Sequence, residues 1–246
     1  MYLIGTVLFW VFFGISMILL FFPAFLIWLV SLPFDKNRRV LHMYSCFWGS
    51  LYTWCNPFLK VKIEGLEKLE KGQSYVYCPN HQSMMDIVIL YRLFRHFKWV
   101  AKSELMKVPF LGWNMWLNGY LKIDRKSPSS QIKMMKDGEA LLKRGSSIMI
   151  FPEGTRSKDG TLGKFRDGAF ILSQKTGVPV VPVVLRGSRD VFADGTLRYY
   201  RVYPMTITIL DPLPSDSGDN AKALGRLVKQ KISESLGQSE DPSGIS

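Results

Sequence analysis

Apolar residues are distributed very unevenly along this chain. Positions 2 to 22 form an almost unbroken apolar run, and after Pro23 a second run extends from 24 to 32 before Pro33. As a helix the first run would reach about 31 Å, enough to cross the hydrocarbon core of a bilayer. Two geometries fit: a spanning helix followed by a short interfacial one, or a helix pair kinked at Pro23 that dips into one leaflet and returns. A cleaved signal peptide fits less well, because no basic residue precedes the run and no A-x-A site follows it. Residues 40 to 58 then carry Tyr44, Phe47, Trp48, Tyr52, Trp54 and Phe58. Such a stretch suits either a helix at headgroup depth or the first helix of a core.

Further along, short β-branched or apolar runs alternate with amphipathic ones. Strands are expected at 59–64, 74–78, 99–101, 120–123, 147–151, 180–185 and 206–210, and helices at 86–94, 131–143 and 220–236. The last of these stacks Leu224, Val228, Ile232 and Leu236 at i+4 spacing. The alternation predicts an α/β fold, a buried sheet flanked by helices, behind an N-terminal membrane-associating helix or kinked helix pair. The expected units are 1–34 as membrane anchor, 35–236 as the folded domain and 237–246 as a polar tail.

Charge changes the picture of what binds. Residues 1 to 34 contain no Asp, Glu, Lys or Arg, so the net charge of +12 falls wholly on the rest. A basic domain behind an apolar leader points to an anionic phospholipid surface and phosphorylated substrates. No helix-turn-helix or aromatic sheet signature supports nucleic acid. Lys36, Arg38 and Arg39 follow the apolar stretch directly, which by the positive-inside rule sets the domain on the cytoplasmic face of the cytoplasmic membrane. Cys46, Cys55 and Cys78 have no CxxC spacing, and no histidine has a ligand-spaced partner, so neither a disulfide framework nor a metal is expected.

Two motifs carry chemistry. Asn80-His81-Gln82-Ser83-Met84-Met85-Asp86 offers an imidazole followed by a carboxylate. Imidazole titrates near neutrality and can take a proton from an alcohol, best when a carboxylate fixes its other nitrogen. Five residues apart on one helix, the two would face different ways. They meet if His81 precedes the helix and Asp86 sits in its first turn, with Ser83 as N-cap. Phe151-Pro152-Glu153-Gly154-Thr155-Arg156-Ser157 leaves an apolar strand at a Pro/Gly turn. There Arg156 could clamp a phosphate through two parallel bonds, and Glu153 could bind a polar substrate group or hold Arg156.

Taken together, these motifs resemble those of the glycerolipid acyltransferases, specifically the 1-acyl-glycerol-3-phosphate (lysophosphatidic acid) acyltransferases, over residues 60 to 185. Asn80 to Asp86 is similar to the family's first block, which implies His81 as general base and Asp86 as its partner. Gly119-Tyr120-Leu121-Lys122-Ile123-Asp124-Arg125 is similar to the second, although Lys122 stands where an aromatic is usual. Glu153, Gly154, Thr155 and Arg156 match the third, acceptor-binding block, and Val178 to Pro182 the fourth. Lys102 and Arg125 are added as candidate phosphate ligands.

The resemblance implies transfer of an acyl group from acyl-CoA or acyl-carrier protein to the sn-2 hydroxyl of lysophosphatidic acid, giving phosphatidic acid with no tightly bound cofactor. No G-x-S-x-G elbow is present, so direct transfer is expected rather than an acyl-enzyme. The alternatives are a sibling acyltransferase acting on glycerol-3-phosphate, another lysophospholipid or an aminolipid; a membrane-anchored lipid-binding protein without catalysis; and a thioesterase.

Overall fold

A computed structural model describes residues 2–157, 159–192 and 197–238. The first element, α1 (Tyr2–Ser31), is one uninterrupted helix that passes through Pro23. The break expected there does not occur. A proline withdraws one N–H and crowds the carbonyl four residues back, here on an exposed flank, and Tyr44 Oη donates to Leu20 O at 3.0 Å just below it. Next comes α2 (Arg39–Trp54), which buries Leu41, His42, Cys46, Trp48 and Tyr52. The aromatic-rich stretch is therefore a core helix, with Phe47 and Trp54 left outside.

The sheet strands are β1 (Leu59–Glu64), β2 (Val76–Pro79), β3 (Phe97–Lys102), β4 (Leu121–Ile123), β5 (Ser147–Met149), β6 (Val180–Arg186) and β7 (Tyr203–Ile209). They lie in the order β1-β7-β6-β2-β5-β3-β4. All pairings are parallel except β6 with β7. Between them run α3 (Met85–Leu90), α4 (Leu111–Leu117), α5 (Pro128–Lys143) and α6 (Gly168–Thr176), and α7 (Ala221–Leu236) closes the described chain. Neither α4 nor α6 was expected. At seven and nine residues they are too short to show a clear stripe. The polar tail expected at 237–246 lies outside the described residues beyond Gln238.

Alternation along β6 explains the two-sided core. Val181, Val183 and Leu185 pack with Tyr77, Phe97 and Trp99 on the face covered by α3. Val180 and Val184 pack with Ile148, Phe170, Leu224 and Val228 on the face covered by α5, α6 and α7. Because β2, β3, β4, β5 and β6 are parallel, their carboxyl ends share one edge, where α/β sheets hold their ligands. Two of the three cations after the apolar run have internal work. Arg38 donates to the carbonyls of Trp116 and Leu117 at the end of α4, and Arg39 to that of Gly145.

Candidate active site

β2 ends at Pro79, and Asn80 anchors the corner beyond it. The Asn80 side-chain amide donates to Leu185 O at 3.1 Å and its Oδ1 accepts from Leu185 N at 2.7 Å, clamping the chain to β6. His81 comes next, outside the helix, and Asp86 lies in the first turn of α3. His81 Nδ1 and Asp86 Oδ2 are 2.8 Å apart. The same oxygen accepts from the backbone N–H of Gln82 at 2.7 Å and of Ser83 at 2.8 Å. An ionised carboxylate only accepts, so His81 donates from Nδ1 and Nε2 is left as the basic nitrogen. Asp86 is fully buried, whereas His81 keeps 13% of its side chain exposed.

The capping arrangement is half as expected. Asp86 reaches back to Ser83 N, but Ser83 Oγ accepts from Met85 N at 3.3 Å and the helix opens from Met84.

The second motif folds against the first. Ser157 N donates to His81 O at 2.8 Å. Glu153, buried, accepts from His81 N through Oε1 at 2.8 Å and from Gly163 N through Oε2 at 3.0 Å. Both oxygens accept from backbone amides, which ties the second motif to the first. Burial pushes the Glu153 carboxyl up from its ordinary value, and those two N–H donors pull against the rise. Gly154 takes φ +72°, and a Cβ there would come within 2.8 Å of Arg166 Nε, so the turn demands glycine. Thr155 and Arg156 stand exposed beyond it.

Arg156, Ser157, Gln82 and Ser83 line a cleft of about 200 Å³; His81 is outside that lining and joins it through Gln82 and the bond from Ser157 N to His81 O. The remaining expected ligands sit further along the same edge. Lys102 ends β3, exposed and 3.3 Å from Glu104. Arg125 follows β4, exposed by accessible surface and near Arg166; partial desolvation and that neighbouring guanidinium lower its pKa. Lys102 and Arg125 thus meet around Glu104, whereas Arg156 faces the cleft.

The acyltransferase family model matches residues 60–186, which is 127 of 246 residues. Over 207 residues the chain is 39% identical to the 1-acyl-sn-glycerol-3-phosphate acyltransferase LPAT1 of Arabidopsis thaliana. Against the protein of that activity from Pseudomonas aeruginosa it is 31% identical over 198 residues, covering 80% of this chain and 75% of the relative. The chain belongs to the acyltransferase family. It covers 57% of the length of the Arabidopsis protein with 83% of its own, and so spans less than two thirds of that relative. The crystal structure of PlsC, the 1-acyl-sn-glycerophosphate (LPA) acyltransferase of Thermotoga maritima, matches with a TM-score of 0.77 over 98% of both chains at 23% identity. That likeness establishes a shared fold.

Within this acyltransferase the sequence reading missed one contact at the imidazole. The Phe151 ring stacks on His81 with centroids 3.9 Å apart and 17° between planes, and Trp99 stacks behind Phe151 at 5.8 Å. The signal lay in the motif, since Phe151 is its first residue. Only the meeting of β2 and β5 in the sheet turns it toward His81. His42 and His96 are interior and partnered, by Tyr120 Oη and Arg95 O for the first and by Ser146 Oγ for the second.

Proposed function

We propose that this acyltransferase moves a fatty acyl group from an acyl thioester, acyl-CoA or acyl-carrier protein, to the free sn-2 hydroxyl of lysophosphatidic acid, with His81 as general base. The observation that carries this reading is the His81–Asp86 pair, poised beside a cleft that presents Arg156. In the reaction, His81 Nε2 takes the hydroxyl proton as the acceptor oxygen bonds to the thioester carbonyl carbon. The tetrahedral intermediate collapses, the C–S bond breaks, and Nε2 returns the proton to the departing sulfur. Asp86 holds the imidazole through Nδ1, Phe151 holds its plane, and Glu153 holds the His81 backbone. Arg156, with Lys102 and Arg125 further along the edge, supplies positive charge for substrate phosphates.

Lipid substrates call for a membrane-facing surface, and α1 supplies one. Contacts with the domain run from Tyr2 against Phe58 to Trp28 against Trp116. A helix pinned along its length cannot cross a bilayer without dragging the domain in. We therefore place α1 lengthwise in the leaflet next to the domain, on the cytoplasmic side.

The test is formation of phosphatidic acid from lysophosphatidic acid and either labelled thioester, using protein in lipid vesicles. Replacing His81→Ala is expected to lower kcat about 10²- to 10⁴-fold, the range general base catalysis supplies. An unchanged rate in folded His81→Ala removes the base; thioester loss without acceptor product makes the protein a thioesterase.

A further inference from the structure

β2, β5 and β3 run parallel, so β3 ends at Lys102 on the sheet edge that carries His81. The chain follows that edge through the 3₁₀ turn Ser103–Lys107, and α4 then leads back toward the start of β4. Between turn and helix Phe110 takes φ +59° and ψ −52°, and Leu111 N donates to Pro109 O at 2.6 Å. This is a γ-turn, a conformation that a bulky residue rarely adopts. The Phe110 ring is braced 5.6 Å from that of Phe21 in α1 and 4.9 Å from that of Trp113. Val108 and Leu111 are left exposed beside the turn, and α4 adds Trp113 at 47% and Trp116 at 64% exposure.

These side chains continue the outer side of α1. The Phe21 ring lies 5.6 Å from that of Trp113 and 6.4 Å from that of the exposed Phe25, and Trp28 lies 6.0 Å from Trp116. One aromatic surface thus runs from the apolar helix onto the domain at its active-site edge. Lys107, next to Val108, and Lys122 on β4, which packs beside the 3₁₀ turn, stand exposed close by. Exposed indoles with lysines alongside are the composition of a protein surface at headgroup depth, and the lysines complement anionic lipid.

We propose that residues 108 to 116 form a second membrane contact, in which Val108, Leu111, Trp113 and Trp116 seat in a phospholipid leaflet beside α1. A single helix lying in a leaflet is an axis about which the domain can roll. A contact next to it, at the edge that carries His81, stops the roll and holds that edge against the headgroups. The assignment rests on the placement of α1 in the leaflet and extends it to the domain itself.

The test places an environment-sensitive fluorophore on single cysteines, Leu111→Cys, Val11→Cys on the outer side of α1 and Arg226→Cys on the outer side of α7. A Cys55→Ser background removes the exposed native thiol. Vesicles of phosphatidylcholine and phosphatidylglycerol carrying nitroxide-labelled lipid are expected to quench the labels at 111 and 11 and to leave that at 226 unchanged. Quenching at 11 alone overturns the second contact while α1 keeps its place; quenching at neither overturns both. A spectral shift at 111 that grows with protein concentration in detergent would assign the surface to a second copy of this chain and overturn the proposal. Acyl transfer gives an independent reading. Replacing both Trp113→Ser and Trp116→Ser is expected to lower the rate on vesicle-borne lysophosphatidic acid about ten-fold or more, with the rate in mixed micelles little changed. An unchanged vesicle rate, or an equal fall in micelles, overturns the orienting role.

Discussion

Helices α1 and α7 bury opposite kinds of residue. In α7 the side facing the sheet carries Leu224, Val228 and Ile232, and the outer side carries Lys222, Arg226, Gln230 and Glu234. That is the expected order in water, with the apolar stripe paired and the polar stripe solvated. In α1 the buried positions are Thr6, Ser16, Ala24 and Ser31, while Ile4, Leu8, Val11, Ile15, Leu19, Phe22, Leu26 and Leu29 face outward. Small residues let this helix lie close against the domain, where Phe9, Phe13, Phe21 and Trp28 pack partly on it, and the large apolar side chains of the outer side go unpaired. A long exposed apolar stripe of this kind marks an interaction surface. Water alone would not stabilise α1, but a lipid phase would. The lesson is that the same i, i+4 arithmetic serves two solvents, and burial within the protein reveals which one each helix answers to.

The comparison breaks most sharply under one substitution made twice. Val228→Asp puts an unpaired carboxylate into the core, and we expect a loss of about 4 kcal/mol or more, near the whole stability of a domain. Val11→Asp faces outward and should leave the melting temperature in detergent almost unchanged. Its effect should appear in sedimentation with vesicles, where binding falls because apolar burial worth about 1.5–3 kcal/mol is lost and a charge is added. Equal unfolding by both, or unchanged vesicle binding by Val11→Asp, would contradict the two-solvent account.

The same distinction governs how much of the molecule was legible in its sequence. The buried parallel strands showed as apolar runs because both sheet faces are covered; the run expected at 59–64 is β1 to the residue. The His81–Asp86 contact was legible because it is local, a matter of where a helix starts. Glu153 was not. Its partners are backbone amides at His81 and Gly163, and no side-chain pattern announces a main-chain contact. The course of α1 through Pro23 was illegible for a related reason. Proline is read as a breaker, but the support comes from Tyr44 and from packing on α2, which only the fold supplies.

Charge sharpens the contrast further. α1 carries none, whereas the domain interior contains Lys98, 2% exposed on β3, with Nζ donating to Asn118 O at 2.6 Å. Burial, and then the nearby Arg38, pull its pKa down to about 7. Arg144 adds to the fall, while Asp35 opposes it. An unfolded lysine titrates near ~10.4. Between about pH 7 and pH 10 the unfolded chain therefore binds a proton that the folded chain lacks, and stability from this group rises with pH. Below that window the buried charge carries its full cost. Lys98→Met should accordingly stabilise most below pH 7, by on the order of a few kcal/mol, and the gain should shrink toward pH 10. Urea melts of both proteins at pH 6 and pH 9.5 provide the check; a gain that does not change with pH would mean that Lys98 is not the titrating group.

The smallest expected effect concerns how the two regions are joined. Tyr52 of α2 accepts from Trp48 Nε1 at 2.7 Å and from Ser16 Oγ of α1 at 3.3 Å, while its ring lies 4.6 Å from that of Phe13. One hydroxyl thus ties a polar position of the apolar helix to a core helix. Tyr52→Phe keeps the ring contact and leaves the indole N–H of buried Trp48 without its acceptor, which costs about 1–2 kcal/mol. The bond from Ser16 Oγ is lost as well, so part of the cost should fall on the docking of α1. Amide hydrogen exchange should therefore quicken in α1 around residues 13 to 20 while protection in α7 stays as it was. Uniform loss of protection in both helices would mean that α1 and the domain unfold as one cooperative unit, and that the membrane-facing helix is as much a part of the core as α7.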